Sequence, residues 1–559
     1  MFRTLACLLL SIAIFSTIAQ AKPEMPAAIA TAHPLATQAG FEILDQGGNA
    51  FDAAVAITAA LAVVEPTGSG LGGGGFWLLH RDSDQFQTML DGREKAPSAA
   101  HRNMYLDKSG KADPKLSLNG PLSAGIPGVP AALAHLTEQY GNLSLAQNLS
   151  PAIRYAQQGF AVTEHYQKLA QFRLDVLRSY STSQAIFLKN GQIPALGEMI
   201  IQTDLANTLQ QIANQGRDGF YTGKIADKLV KNVQKQGGIW TLEDLKNYHL
   251  VERKTIVGNY KGYRITSANL PSSGGITLLS ILNQLETLPF DAASPSQQQH
   301  FIIEAMRRSY RDRNHYLGDS DFITVPTIKL TSKHYAKQLV STINFDTATP
   351  NMIFKKSPAA KGEDTSHFSV IDQNGNRVSA TLSINYPFGS GFVAKGTGVL
   401  LNDEMDDFSS QQGNANGYGL IADSSANEIA PNKRPLSSMT PTFIENNKKI
   451  MVIGTPGGSR IITMVLLGIL DFVDDKNALQ IVSEPRFHHQ NLPNYVQIES
   501  SGFNDNETEQ LKLRGHSIKK LNRQYGNMQV VIYNKATQQL SAASDPRGEG
   551  ESQVRIVKR

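Results

Sequence analysis

The stretch EDTSHFSVIDQNGNRVSATLSIN, residues 363–385, decides the fold of this chain. It contains two strand-like runs, residues 367–371 and 377–385, on either side of Asn374-Gly375. Asn-Gly between two alternating strands is the strongest short-range signal for a β-hairpin, because both residues tolerate positive φ. The sequence therefore predicts a hairpin with a two-residue turn at Asn374-Gly375.

A two-residue turn fixes which residues of the hairpin face each other. It brings Thr365 level with Ile384, so that Ser383 and Asn385 flank Thr365 on the neighbouring strand. We therefore predict that Thr365 begins a strand and has a hydroxyl and an amide close by.

Thr365 within an intact chain is a weak nucleophile, since its hydroxyl has no built-in base. If the Asp364–Thr365 bond is cut, Thr365 gains a free α-amine within reach of that hydroxyl. An α-amine has a typical pKa of about 7.7–8, so it can take the hydroxyl proton near neutral pH. Thr365 is therefore a candidate N-terminal nucleophile, with Asp364–Thr365 as the cleavage site.

Further motifs surround the hairpin along most of the chain. They are GGNAFDAAVA (47–56), LGGGGF (71–76), DGREKAP (91–97), GIPGVP (125–130), PSSGG (271–275), FGSG (388–391), LLNDEMDDF (400–408), PNKRPLSSM (431–439), GTPGGSR (454–460), RFHHQ (486–490) and SDPR (544–547). Any one of them is a weak signal, but so many in one order are highly specific.

Together these segments resemble the γ-glutamyltransferase (glutathione hydrolase) family of N-terminal-nucleophile hydrolases. The resemblance implies an α/β fold, a four-layer α/β/β/α sandwich built from both pieces of a self-cleaved chain. It implies three segments: a signal peptide (1–21), a heavy piece (22–364) and a light piece (365–559). It also implies a γ-glutamyl donor such as glutathione, amino acid or dipeptide acceptors, and no cofactor or metal.

The same resemblance implies the roles of the catalytic residues. Thr365 is then both the residue that drives cleavage and the nucleophile that forms a γ-glutamyl-enzyme. Ser383 stands where many members have a threonine that assists both steps, and it keeps the hydroxyl. Gly457 and Gly458 match the glycines whose backbone N–H groups bind the oxyanion.

The implied substrate pocket needs both signs of charge, because a γ-glutamyl group carries an α-carboxylate and an α-ammonium. The resemblance assigns Arg93, Ser437 and Ser438 to the carboxylate, and a guanidinium suits it because it binds in bidentate fashion. It assigns the ammonium to Asn385, Glu404 and Asp407. Tyr418 lies in a Gly/Asn/Ser-rich loop that resembles the lid of some members.

Two alternatives remain open at the level of sequence. One is a glutaryl-type acylase or a poly-γ-glutamate hydrolase of the same fold. Asp407 argues against the acylase, because a glutaryl group has no ammonium, and a lid argues against long polymers. The other alternative is an inactive binding protein that keeps the pocket and is never cleaved.

Composition excludes several other classes. The chain has 559 residues, a net charge of +4, 41% hydrophobic and 18% charged residues, which is typical of a globular protein without a nucleic-acid-binding surface. Arg3, the apolar run from Leu5 to Ile18 and an A-x-A site at 19–21 predict a cleavable signal and a periplasmic or secreted protein. The only cysteine, Cys7, lies in that signal, so disulfides and thiol catalysis are excluded in the mature chain.

Periodicity predicts the surrounding elements. A helix is expected from Pro34 to Asp45, and a second, apolar nearly all round and therefore buried, from about Asp52. Residues 71–79 are expected to form a buried strand and residues 128–250 to be mostly helical. Residues 330–364 are expected to be poorly structured, and the light piece to be rich in strands. His488-His489 is expected to serve in packing.

Overall fold

The computed structural model describes residues 25–350, 365–411, 413–421 and 424–558. The predicted signal peptide, Cys7 and Asp364 lie outside the described residues. No helix in the described ranges is long and apolar enough to cross a membrane.

The described chain has eighteen strands. They are β1 (Ala27–Thr31), β2 (Gly74–Arg81), β3 (Phe86–Asp91), β4 (Phe160–Ala161), β5 (Met199–Ile200), β6 (Val251–Arg253), β7 (Ile256–Tyr260), β8 (Tyr263–Ser267), β9 (Ser366–Ile371), β10 (Arg377–Ser383), β11 (Thr442–Glu445), β12 (Lys449–Gly454), β13 (Phe487–His488), β14 (Val496–Ile498), β15 (Ile518–Lys520), β16 (Gln529–Asn534), β17 (Gln539–Ser544) and β18 (Glu551–Arg555).

The described residues also form eighteen α-helices. They are α1 (Pro34–Asp45), α2 (Ala50–Val64), α3 (Pro114–Leu118), α4 (Val129–Tyr140), α5 (Leu145–Gln158), α6 (Glu164–Ser179), α7 (Ser181–Phe187), α8 (Thr203–Gln215), α9 (Asp218–Tyr221), α10 (Gly223–Lys235), α11 (Leu242–Lys246), α12 (Gly274–Thr287), α13 (Pro295–Tyr316), α14 (Thr327–Leu330), α15 (Lys333–Val340), α16 (Ile461–Val473), α17 (Ala478–Ser483) and α18 (Asp505–Leu513).

Two large sheets pack face to face in the middle of the molecule. The first has seven strands in the order β18-β1-β9-β10-β2-β3-β6, and the second has six in the order β17-β16-β12-β11-β8-β7. β9 and β10 of the first sheet contact β12 of the second, and β1 contacts β16. Helices α1 and α2 cover the outer face of the first sheet, while α12 and α16 cover that of the second. The predicted α/β/β/α sandwich is therefore confirmed.

Helix α2 shows how the sequence builds the outer layer. Its fifteen residues are buried on every side, as the apolar run predicted. Asn49 caps its N-terminus, accepting from the backbone of Phe51 and Asp52, while the Asp52 side chain accepts from the backbone of Asn49. This capping box satisfies donors that a buried helix end would otherwise leave unpaired.

The segments before and after residues 351–364 are interleaved in both sheets. In the first sheet, β1 pairs with β9 on one side and with β18 on the other. In the second sheet, β8 pairs with β11. Neither segment has a complete sheet of its own, so each depends on the other for its hydrogen bonds.

The hairpin at the centre is confirmed, but its predicted register is wrong by one residue. Arg377 pairs with Ile371 and Leu382 with Ser366, which places Thr365 opposite Ser383 and not Ile384. The loop has three residues, 373–375. Asp372 closes it by donating its N–H to the Asn376 carbonyl, and within the loop only Gly375 has positive φ (86°). A three-residue loop that ends in a left-handed glycine adds one residue to the turn.

The cause of this register lies in the side chain of Asp372. Its carboxylate accepts hydrogen bonds from the backbone N–H groups of Asn374 (2.8 Å) and Asn376 (3.0 Å) and from the Asn376 amide (2.8 Å). An aspartate that binds the backbone two residues onward stabilises this type of loop over the two-residue turn.

Other predicted elements need smaller corrections. The helix from Pro34 to Asp45 and the helical character of residues 128–250 are confirmed. The buried strand begins at Gly74, and Gly72 before it forms an isolated bridge with Leu401. The stretch after residue 330 contains helix α15, capped by Ser332.

We predict that Gly73→Ala strongly destabilises the protein and that Gly70→Ala does not. A Cβ at Gly73 would lie 2.2 Å from the Ser383 backbone oxygen, whereas one at Gly70 would lie 3.4 Å from the nearest side-chain carbon. Backbone in a central strand cannot move aside, so Gly73→Ala should cost about 3 kcal/mol or more. Thermal unfolding of both variants measures this; similar midpoints would contradict the packing described here.

Candidate active site

Thr365 immediately precedes β9 and is only 4% exposed. Its φ angle is +100°, an outlier for a β-branched residue that stores strain of about 1–3 kcal/mol. The Thr365 Oγ1 atom lies 3.2 Å from the Oγ of Ser383, which itself accepts a hydrogen bond from the Asn385 N–H at 2.8 Å. Thr365, Ser383 and Glu404 line the same cavity.

Gly457 and Gly458 follow β12 and lead into α16, with φ angles of +134° and +57°. A Cβ at Gly457 would lie 2.5 Å from Met464 Cε, and one at Gly458 would lie 2.4 Å from Tyr418 Cδ1. Only glycine fits both the angles and the space. Gly458 lines the same cavity as Thr365, and Gly457 lies directly behind it against Met464.

Arg93 follows β3 and is fully buried. Its Nε donates to the Pro435 carbonyl (3.1 Å), Nη1 to Glu404 (2.5 Å) and Nη2 to Asp407 (2.5 Å). Burial alone would lower the pKa of Arg93, but the carboxylates of Glu404 and Asp407 raise it well above its ordinary value. The guanidinium therefore stays charged and joins the two acidic residues that were assigned to the ammonium.

Glu94 adds a third carboxylate to the Arg93 cluster. It is completely buried, neither oxygen has a hydrogen-bond partner, and Oε2 lies 3.5 Å from Arg93 Nη1. Burial raises the pKa of Glu94, and the nearby charge of Glu404 raises it further. Burial also raises the pKa of Glu404, against the lowering effect of Arg93. The cluster thus holds more acidic groups than its cations neutralise.

Ser437 and Ser438 lie on the other side of the cavity. Ser437 Oγ accepts from the Met439 N–H at 3.1 Å, and Ser438 Oγ accepts from Arg313 Nη2 at 3.1 Å. Arg313 is a buried residue of α13 that sequence reasoning missed. It stands in an ordinary-looking basic helix segment, and no motif or spacing indicates that it points inward.

Tyr418, the residue predicted to lie in a lid, is positioned by the contacts of its neighbour Gly417 and by Tyr386. The Gly417 peptide is held at both ends: its N–H donates to Asp406 (2.7 Å), and its carbonyl accepts from the Tyr386 hydroxyl (2.7 Å). The rings of Tyr386 and Tyr418 are 5.5 Å apart. Burial raises the pKa of Asp406 to about 6. Sequence reasoning drew nothing from Tyr386, because a single aromatic residue after Asn385 carries no pattern.

The predicted catalytic and binding residues, except Gly457, line one cavity of about 20 Å³. Its lining residues are Arg93, Thr365, Ser383, Asn385, Glu404, Asp407, Tyr418, Ser437, Ser438, Met439, Gly458 and Ile461. Met439 and Ile461 were not predicted. Asn385 (φ +74°) donates its amide to the Asp403 carbonyl at 3.0 Å, which leaves the side-chain oxygen as an acceptor. A cavity of this size holds about one water molecule.

His488 and His489 are both buried, as the packing prediction required. His488 is hydrogen-bonded to Thr463 (2.9 Å) and to Gln490 (2.8 Å), which holds the segment after α17 against α16.

Residues 36–554 match the family model described as gamma-glutamyltranspeptidase. The chain belongs to the gamma-glutamyltranspeptidase family. It is 44% identical over 500 residues to the glutathione hydrolase proenzyme of Pseudomonas sp. (strain A14), an alignment that covers 88% of this chain and 87% of the relative. The chain is thus an enzyme of the γ-glutamyltransferase family, as the motifs predicted.

Two solved structures extend the comparison. The cephalosporin acylase from Bacillus halodurans has a TM-score of 0.84 at 28% identity, covering 97% of this chain and 99% of its own. The gamma-glutamyltranspeptidase of Helicobacter pylori has a TM-score of 0.56 at 44% identity, covering 57% of this chain and 92% of its own chain. The fold alone therefore does not separate an acylase from a gamma-glutamyltranspeptidase.

We predict that Gly458→Ala lowers kcat about 10²-fold and that Gly413→Ala has little effect. Both glycines have positive φ, but an alanine Cβ at Gly458 would meet the Tyr418 ring, whereas Gly413 has open space. Displacing the backbone N–H groups near Thr365 removes oxyanion stabilisation, which typically costs 10²–10³ in rate. Steady-state hydrolysis of a γ-glutamyl anilide measures it. Equal kcat values for the two variants would remove Gly458 from the oxyanion site.

Proposed function

We propose that this protein is a glutathione hydrolase and γ-glutamyltransferase that is made as a proenzyme and cleaves itself between Asp364 and Thr365. Cleavage would give a heavy piece (22–364) and a light piece (365–559) that remain together. The observation that carries the proposal is the position of Thr365: buried at the start of a central strand, strained, and opposite Ser383. The H. pylori chain that matches only 57% of this one supports the division into two pieces.

The first reaction is self-cleavage. The Thr365 hydroxyl attacks the preceding carbonyl, the C–N bond breaks, and the nitrogen becomes the α-amine of Thr365. Water then hydrolyses the resulting ester and releases the carboxyl end of the heavy piece. The atom that defines φ of Thr365 leaves with that piece, so cleavage also relieves the strain at this residue.

In the second reaction the free α-amine takes the Thr365 hydroxyl proton, and Oγ1 attacks the γ-carbonyl of the donor. Backbone N–H groups at Gly457 and Gly458 stabilise the oxyanion. The leaving amine takes the proton and departs, which leaves a γ-glutamyl ester on Thr365. Water completes hydrolysis, and the amine of an amino acid or dipeptide completes transfer.

The charges around Arg93 favour a γ-glutamyl donor over a glutaryl donor. Two arginines, Arg93 and Arg313, face three carboxylates, those of Glu94, Glu404 and Asp407. An entering ammonium supplies the missing positive charge, while the donor's α-carboxylate is met by the guanidinium and by Ser437 and Ser438. A glutaryl group brings a carboxylate but no ammonium, so it leaves the excess of acidic groups without a positive partner.

The small cavity supports a small donor. Among the described residues, Tyr418 lines the cavity and is held through Gly417, which leaves little room for a long γ-glutamyl polymer at this site. The predicted signal peptide (1–21) supports export to the periplasm or beyond the cell, where glutathione and short peptides are the donors and acceptors we expect.

We predict that purified wild-type protein gives two fragments in intact mass spectrometry, the smaller beginning at Thr365, and that Thr365→Ala gives one. The alanine lacks the hydroxyl that begins cleavage. A matched control is Thr381→Ala, a buried threonine of the adjacent strand, which should still be cleaved. A single uncut wild-type chain under native conditions would contradict the proposed N-terminal-nucleophile mechanism and favour a binding protein.

We predict that Asp407→Asn raises KM for γ-glutamyl-p-nitroanilide about 10²-fold with a smaller change in kcat. The substitution removes the charge that pairs with the ammonium but keeps a similar shape. The same enzyme preparations should be tested with glutaryl-7-aminocephalosporanic acid, whose hydrolysis we expect to be slow in the wild type. An unchanged KM would remove Asp407 from the pocket, and faster turnover of the glutaryl substrate would favour the acylase.

A further inference from the structure

Glu65 lies directly behind the nucleophile, on the side of the first sheet that faces the helices. It caps the C-terminus of α2, and its Oε2 accepts a hydrogen bond from Ser366 Oγ at 2.6 Å. Gly68, in the same loop, packs so closely that an added Cβ would lie 3.0 Å from the Thr365 carbonyl oxygen. The loop that carries Glu65 is therefore in contact with the backbone of Thr365.

The position of Glu65 is electrostatically unfavourable. A negative charge at a helix C-terminus is destabilising, and Glu65 is almost entirely buried. Within the described ranges no salt bridge joins it to a cation, and Glu549 adds a second negative charge nearby. Burial raises the pKa of Glu65 to about 8, against a lowering by the Ser366 hydrogen bond. A buried carboxyl group of this kind is a candidate for a functional role.

Two cavities meet at Glu65. One contains His33, His165, Tyr166 and Glu549, and the other, of about 50 Å³, contains His165, Lys168, Tyr525 and Arg547. His33 is neutral, because burial lowers its pKa to about 4. Arg547 is already paired with Glu499 and Asp545.

Thr365 lines the second of these cavities together with Glu65, and it also lines the substrate cavity on its other side. Its Oγ1 lies beside Ser383 in the substrate cavity. Glu65 and Thr365 thus share one small cavity, and the hydroxyl of Ser366, the residue after Thr365, is hydrogen-bonded to the Glu65 carboxyl group at 2.6 Å.

We propose that Glu65 is a positioning residue for catalysis: its carboxylate, held by Ser366, pairs with the α-ammonium group that cleavage creates on Thr365 and keeps that amine a strong base. This role rests on the proposed cleavage before Thr365. Within the described ranges this buried acid has no salt bridge in the uncut chain, and cleavage would supply an ammonium group to pair with it.

The sign of the effect follows from the environment of the new amine. Burial at 4% exposure lowers the pKa of an amine, because it disfavours the ammonium form. A nearby carboxylate favours the ammonium and raises that pKa again. A base with the higher pKa takes the Thr365 hydroxyl proton more readily. The proton moves only from Oγ1 to the α-nitrogen, and Glu65 itself need not transfer one.

The test is the pH profile of kcat/KM for the cleaved enzyme with Glu65→Gln, which keeps an oxygen that can accept from Ser366. Activity rises as the α-ammonium loses its proton, so the midpoint of the acid limb reports the pKa of the amine. We expect that midpoint to fall by about one pH unit and the plateau to fall roughly three- to tenfold, because the amine is a weaker base. Glu42→Gln, a half-buried carboxylate of α1 paired with Arg154, is the matched control and should keep the wild-type profile.

Intact mass spectrometry comes first and separates the possible failures. An uncut wild-type chain would overturn the proposed function itself. A cleaved Glu65→Gln enzyme with the wild-type acid limb would overturn only the role of Glu65. If Glu65→Gln is not cleaved, Ser366→Ala provides the second test, since it releases the carboxyl group and should move the limb in the same direction. Failure of both variants to be cleaved would also overturn the proposal, because Glu65 would then act in maturation.

Discussion

The rest of the site depends on the alternation of side chains along β9, which runs between β1 and β10 at the centre of the first sheet. Successive side chains of a strand point to opposite faces. His367 and Ser369 face the second sheet, where His367 packs against Gly454 and Ser369 donates to the Gln529 carbonyl at 3.0 Å. Thr365 shares that face, so its hydroxyl points to the side on which β12 continues into Gly457 and Gly458. Ser366 points the other way, toward Glu65. One strand thus places Thr365 between the second sheet, which leads to Gly457 and Gly458, and the helical layer, which carries Glu65.

The same architecture explains why the charged cluster survives inside a low-dielectric site. Arg93 and Glu94 come from the segment before residue 351, while Glu404 and Asp407 come from the segment after it. The two segments share both sheets, so hydrogen bonds across β1–β9 and β8–β11 hold the halves of the cluster together. Burying a carboxylate without a partner costs free energy. This cost raises the pKa of Glu94 and of Glu404, so that both groups bind protons more readily. An ammonium can replace the protons that these groups take up.

The sequence predicts the parts of this site that lie in local patterns and misses those that only the fold brings together. The hairpin, helices α1 and α2, and the motifs of the pocket all have short-range signals, and the structure places the motif residues around one cavity. The register was mispredicted because Asp372 selects a three-residue loop through side-chain bonds that Asn-Gly alone does not reveal. Arg313, Tyr386 and Glu65 have no local pattern; each acquires its position from contacts with residues far away in the chain.

The strain at Thr365 connects the fold to the proposed chemistry. A β-branched residue at φ +100° persists only where its surroundings fix the backbone. Here three features fix the backbone that follows the proposed cleavage site. They are the Ser366 hydrogen bond to Glu65, the close approach of Gly68 and the strand pairing that begins at Ser366. Because these contacts involve the Thr365 carbonyl and Ser366 and not the carbonyl of residue 364, breaking the proposed bond would remove the strained angle without disturbing them. In the proposed mechanism, the contacts that hold the strained backbone would therefore keep the new N-terminus in place, next to the hydroxyl that it would activate.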